Sequence, residues 1–380
     1  MVPKVGGSSP LIHPFFAHFS GLAPVFYWIP ALQMSSVIER RERQIAELAD
    51  PSPGSTPYLC CRPINIPEAC SGQLLIDAVT EMIPVVDRDE WLDWFDQGRI
   101  RDGATDPSCP ESAYDLPVAS PDQRVRGGGQ FTNLFADTVE PDVNTRIGVV
   151  HEDAAIVVID KPAPLPMHPS GRFNRNTLGW ILDQVYGTDA SAWPDESSSQ
   201  DRSPAAGRLR PVHRLDANTS GLVLFARSKA VAAMIQQQFE HRRVAKRYLA
   251  KVAQRPVWDT HISHAKIGRQ RGRCGHRTVC DDGQEAETEL RVIATTASDE
   301  TLILAIPKTG RTNQIRIHLW DAGHPICGET LYLPDGRLGT NQTRPLDSPP
   351  LCLHAWQLSL QHPLSQQTIH FQSPPPPWAT

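Results

Sequence analysis

The sequence has no Gly-x-Gly-x-x-Gly after a β-branched run and no phosphate-loop motif, so dinucleotide and nucleotide-driven chemistry leave no signature in it. Cysteine is sparse and scattered, at 60, 61, 70, 109, 274, 280, 327 and 352, with no tight repeat. In a chain this long without a clear secretory signal, that argues against a disulfide framework. Cys274, His276 and Cys280 come closest to a metal cluster, but their spacing matches no zinc pattern. A membrane span needs about 20 consecutive apolar residues. The best stretch, 11–32, is broken by His13, His18 and Pro24. Lys4 alone stands in for the basic start of a signal peptide, and no cleavage site follows. Positive charge is not in excess either: the net charge is −5, which by itself speaks against a nucleic-acid partner.

The distribution of charge says otherwise. Residues 201–320 hold 21 Lys and Arg against 11 Asp and Glu, a balance of +10, so the remainder sums to −15. Arg242, Arg243, Lys246, Arg247, Lys251 and Arg255 form one basic run, and Lys266, Arg269, Arg271, Arg273 and Arg277 another. Such a field can hold a phosphate backbone, or be a solvated basic surface. With 380 residues the chain exceeds one ordinary core, so two domains are expected. Proline is abundant, at 35 residues, which predicts long irregular connections. Met34 opens a charged helical segment, and we expect translation to start there, with 1–33 a leader or a mis-assigned start.

Along the chain, 34–50 reads as a charged helix and 51–67 as a turn-rich connection. Segments 72–85 and 90–95 have helical spacing, and 103–137 reads as loop. Together 34–140 form an accessory region of unclear fold. From 147 the pattern changes. Strands are predicted near 147–150, 156–159, 222–226, 247–252, 286–295, 301–306 and 351–360, with helices at 177–185 and 229–240. Residues 189–207 read as a polar loop, and 310–319 begins in a turn and then alternates or coils. Many strands and few helices over 147–364 predict an α+β domain on a mixed or antiparallel sheet, followed by a proline-rich tail at 365–380.

Asp216 is the sharpest chemical candidate. It lies in the polar turn His213-Arg214-Leu215-Asp216-Ala217-Asn218-Thr219-Ser220-Gly221, directly before the apolar run 222–226. A carboxylate there is partly desolvated yet reachable, and can serve as nucleophile, base or stabiliser. It can equally cap backbone amides in an ordinary turn. Tyr248 follows the basic run and can stack on a base or be a half-buried strand tyrosine. Arg311 and Arg316 lie in a polar segment, 308–318, able to grip phosphates or to pair with a carboxylate such as Asp216. Lys161 and the loop 166–172 with His168, and His324, are weaker ligand candidates.

These segments resemble, in order, the RluA-type family of pseudouridine synthases. Residues 157–162 with His168-Pro169-Ser170-Gly171 resemble its opening motif, and His213 to Gly221 its catalytic signature. Lys246-Arg247-Tyr248-Leu249-Ala250 resembles the tyrosine motif; Thr309 to His318 and Gly323 to Gly328 resemble the late arginine motif and its sequel; Leu353-His354-Ala355 with His362-Pro363 resembles the closing strand. Asn313 stands where members usually have histidine, and Glu329 where they usually have aspartate. Residues 34–140 do not match the small S4 RNA-binding domain that some relatives carry.

The resemblance implies a largely antiparallel, bent sheet with an RNA cleft along it. It implies isomerisation of uridine to pseudouridine in ribosomal or transfer RNA, without a cofactor or metal, on a base flipped into the pocket. Asp216 would be the nucleophile, Tyr248 the stacking ring and Arg316 the basic partner that orients the carboxylate. Arg214, His213, Arg311 and Lys161 would contact the substrate. A cytoplasmic monomer acting on RNA, not on DNA or membranes, goes with this reading. The alternative is a non-catalytic RNA-binding protein on the same body. A glycosidase would want two carboxylates flanking its substrate, and no second one stands near the motif.

Overall fold

The computed structural model describes residues 31–106, 109–187, 208–268, 276–295, 299–340 and 342–380. Residues 1–30 of the expected leader, the polar loop 189–207, Cys274 and the arginines at 269, 271 and 273 thus lie outside the described residues. Two compact units are present: residues 51–142 with 170–176, and residues 1–50, 143–169 and 177–380.

In the smaller unit, β1 (Tyr58–Asn65) and β2 (Ile100–Asp102) pair on either side of β3 (Gln130–Thr138), all antiparallel. Helices α2 (Leu75–Met82) and α3 (Arg88–Asp96) supply Leu75, Ile76, Val79, Trp91 and Phe95 to its core, against Ile64, Ile100 and Phe131. Asp87 caps α3 by accepting the amide of Glu90, the capping geometry expected of an N-cap aspartate. Two sequence expectations are corrected here. Residues 58–65 are a strand despite Pro63, and 130–138 is a strand where loop was expected. Pro63 and the flanking Gly-rich run hid a pairing that only the partner strand reveals.

The larger unit is built on a ten-stranded sheet. Its strands are β4 (Gly148–Glu152), β5 (Ile156–Lys161), β6 (Arg210–Pro211), β7 (Ser220–Ala226), β8 (Ala245–Ala253), β9 (Thr260–Ser263), β10 (Thr288–Thr295), β11 (Glu300–Pro307), β12 (Leu353–Gln361) and β13 (Thr368–Gln372). Their main order is β4-β5-β7-β12-β8-β11-β10-β9, with β13 on β12 and β6 on β7. Among the described residues only β7 and β12 run parallel; the other pairs are antiparallel. This is the mixed, mostly antiparallel sheet expected, flanked by α1 (Ala31–Ala49), α4 (Leu178–Gly187), α5 (Lys229–Glu240) and α6 (Gln314–Asp321). Among the described residues no helix is long and apolar enough to cross a membrane.

Three boundaries differ from the sequence reading. Helix α1 belongs to the larger unit: buried Arg41 pairs with Glu152 of β4, which also holds Arg227 and the Tyr186 hydroxyl. The stretch after 364 is no tail, because Thr-Ile-His-Phe-Gln pairs with β12 as β13 and Ser373 is buried. Residues 314–321 form a helix, because α6 buries Gln314 through Leu319 consecutively. A segment buried all round shows no 3.6-residue stripe from which to read it.

Candidate active site

Strand β12 lies between β7 and β8, and this brings the turn before β7 close to the side chains of β8. The β7–β12 contact is short: His354 opposes Ser220 and Ala355 opposes Gly221. Gly221 has φ +107°, and a Cβ there would lie 2.3 Å from the Ala355 carbonyl oxygen. The glycine that ends the polar motif is therefore required by the close approach of β12.

The turn 212–219 borders a cleft of about 530 Å³. Asp216, Arg214, His213, Lys246, Tyr248, Arg311 and Arg316 all line it. Strand period two turns Lys246 and Tyr248 to the same face of β8. Burial, with the charge of Asp216 nearby, raises the Tyr248 phenol above its ordinary value, so the ring enters the cleft neutral. Its hydroxyl has no hydrogen-bond partner among the described residues.

Arg316 is buried on α6 and reaches Asp216 Oδ2 through Nη1 at 3.3 Å. Its firmer grip is elsewhere. Nε donates to Glu329 Oε2 at 2.8 Å, and Nη2 to Glu329 Oε1 at 2.7 Å. Nη1 also donates to Asn313 Oδ1 at 3.0 Å. Glu329 in turn accepts the backbone amides of Thr330 and Leu331. Burial opposes both charges, yet their pairing wins: Glu329 is held below the usual carboxylate range, and Arg316 is raised. Asp216 keeps 28% of its side-chain surface exposed, against 1% for Arg316 and 2% for Glu329. The carboxylate thus faces the cleft, while its cation is enclosed behind it.

The other expected contact residues divide. Arg214 is exposed on the rim and makes no hydrogen bond or ion pair among the described residues. The Arg311 side chain donates to the Glu285 carbonyl, and its amide donates to Gln314 Oε1. Gln314 also ties Thr309, Glu287 and Thr288, which fixes the loop 308–313 on that side of the cleft. His213 accepts the Leu224 amide at Nε2; burial first, and Lys246 second, hold its pKa down to about 3, so it is a neutral cleft wall against Phe239. Lys246 donates to the Thr309 carbonyl, and burial lowers its pKa to about 8.

Lys161 does not meet its expectation as a substrate contact. It is fully enclosed and gives its protons to the carbonyls of Pro162, Leu165 and Ala217. Burial lowers its pKa to about 7, against the pull of Asp216 and Asp160. It pins the Asp216 turn from beneath. His168 and His324 do not line the cleft.

Two groups escaped the sequence reading as functional parts: Glu329 and Asn313. A buried arginine needs a buried anion, and a carboxylate 13 residues after Arg316 is the signal in the sequence that points to Glu329. Asn313 adopts a left-handed φ of +57° at the start of α6 and donates to the Tyr332 hydroxyl. A further chain runs behind the motif. Ser220 Oγ bonds His354 Nδ1, His354 Nε2 bonds Ser373 Oγ, and Ser373 donates to Asp160. Burial lowers His354 to about 4, so the ring is neutral.

Comparison with known proteins identifies a family for this sequence. Residues 155–320 match the family described as RNA pseudouridylate synthase. The ribosomal large subunit pseudouridine synthase D of Nitrosomonas europaea is 30% identical over 322 residues, covering 82% of this chain and 84% of that protein. An uncharacterized RNA pseudouridine synthase of Synechocystis is 31% identical over 296 residues, covering 77% and 90%. The dual-specificity RNA pseudouridine synthase RluA of Pasteurella multocida is 32% identical over 236 residues, covering 62% and 96%. Relatives with several subfamily names match comparably, and across them the common property is the reaction, so this chain belongs to the pseudouridine synthase superfamily and is an RNA-modifying enzyme of that kind.

Proposed function

We propose that this enzyme is of the RluA type, isomerises specific uridines of ribosomal or transfer RNA, and uses Asp216 as its nucleophile. The observation that carries the reading is the pairing of a half-open carboxylate with an enclosed guanidinium at 3.3 Å in a cleft bordered by Tyr248. The uridine is flipped into this cleft. Tyr248 stacks on the uracil, and Arg316 keeps Asp216 oriented while the N-glycosidic bond breaks and C5 of the turned base bonds to the same sugar carbon. Atoms are conserved, with the C5 proton moving to solvent and N1 taking one up. Arg214, Arg242 and Arg311 face the strand's phosphates, and neutral His213 closes the wall.

The glycosidase alternative gains nothing from Glu329. That carboxylate is 2% exposed and does not line the cleft, so it cannot flank a sugar as general acid or base. A non-catalytic binder would have no need of a cation enclosed behind the cleft carboxylate. An RNA target, with DNA excluded, and a monomer acting in the cytoplasm complete the proposal. Pseudouridine mapping across total RNA from cells with and without the gene tests it. Sites that vanish with the gene are the expected result, and unchanged maps overturn the reading.

A further inference from the structure

We infer that Glu329 is a positioning residue that keeps Arg316 neutralised and fixed whenever Asp216 turns from it to the substrate. The inference rests on the reading of Asp216 as the reacting carboxylate. Four N–H groups of Arg316 are used. Two go to Glu329, at 2.7 and 2.8 Å, and one to Asn313 at 3.0 Å. The fourth, to Asp216, is the longest at 3.3 Å. Orientation of the guanidinium is therefore set by the Glu329 fork and the Asn313 amide, and Asp216 joins an arrangement that stands without it.

Two carboxylates thus share one cation, and they differ in freedom. The Glu329 side chain is almost wholly buried and capped by two backbone amides, whereas Asp216 is part exposed and faces the cleft. If Arg316 had Asp216 as its only anion, every turnover would leave a buried guanidinium unpaired as the carboxylate engaged the substrate. Orphaning one partner of a buried pair is among the costliest changes a protein interior suffers. With Glu329 in place, the cation stays paired and Asp216 is free to move. Asn313 supports the same cradle: its left-handed backbone brings Oδ1 to Arg316, while Nδ2 is anchored on Tyr332. Aspartate at 329 would carry the same charge on a side chain one methylene shorter.

The cradle predicts an asymmetry that a single Asp–Arg pair does not. Asp216→Ala should melt within about 2 °C of wild type, bind a uridine-containing hairpin transcript normally and form no pseudouridine. Glu329→Gln should melt clearly lower, bind the same transcript within about threefold, and lose on the order of tenfold or more in kcat. Glu329→Asp should regain most of that kcat. If Glu329→Gln does not fold, the double variant Arg316→Met with Glu329→Gln, which removes cation and counter-ion together, should recover folded protein. Four outcomes overturn the inference: a Glu329→Gln kcat within twofold of wild type, Glu329→Asp as impaired as Glu329→Gln, an Asp216→Ala melting loss as large as that of Glu329→Gln, or no recovery in the double variant. Full activity of Asp216→Ala would instead remove the functional reading beneath it, so the two failures are distinguishable.

Discussion

At the scale of single residues, the site is organised by what each group does with its protons. Lys161 spends three on carbonyls around the Asp216 turn and has none for a ligand. Lys161→Met should therefore cost about 2–4 kcal/mol of stability, because buried acceptors lose their donor, and lower turnover through the loosened turn; urea unfolding alongside product assays checks both. His354 gives a pH signature. Unfolded, a histidine protonates near its ordinary value of about 6.5, but buried His354 does so only near 4. Between these values acid favours the unfolded chain, so the stability from neutral His354 is present above about 6.5 and lost as pH falls to about 4, on the order of 3 kcal/mol. His354→Gln should flatten the fall in melting temperature over that window relative to wild type. An unchanged slope would mean that the ring does not govern it.

Arg316 shows how the structure sharpens a substitution chosen from sequence. With Asp216 as its only partner, Arg316→Leu reads as a catalytic change with little effect on folding. The Glu329 fork makes it a stability change as well, since it strands a buried carboxylate. Asp216 itself was legible because its motif is local: a polar turn, a glycine and an apolar strand in sequence. Glu329 was not, because its role depends on a helix, α6, whose uniform burial erased the periodicity that would have placed Arg316 on it.

At the scale of elements, β12 is the piece on which the site depends. It separates β7 from β8, contacts the Asp216 turn through Gly221, and carries His354 toward Ser220. Beyond Ala355 the flank of β12 is covered by β13. Ending the chain after Pro363 would expose that edge and remove Ser373 from its bridge between His354 and Asp160. Such a truncation should melt lower and lose activity although it touches no cleft residue; a melt and activity equal to wild type would show β13 to be dispensable. The strands of the larger unit were readable because most are apolar or alternate cleanly. Strands β1 and β3 were not, since Pro63 and the neighbouring glycines read as turns until pairing was seen.

For the whole molecule, net charge misleads and its distribution informs. An overall −5 conceals a basic stretch that contributes Arg214, Arg242, Lys246 and Arg311 to one cleft. There, we propose, a part-exposed carboxylate at 216, backed by an enclosed cation, performs the isomerisation. The most direct test is nucleoside mass spectrometry of RNA from cells lacking the gene and complemented with wild type or Asp216→Asn. Asn keeps the size and can still accept a bond from Arg316, but cannot act as a carboxylate nucleophile. Wild type should restore the missing pseudouridine and Asp216→Asn none of it, at equal protein level. Normal restoration by Asp216→Asn would contradict the account.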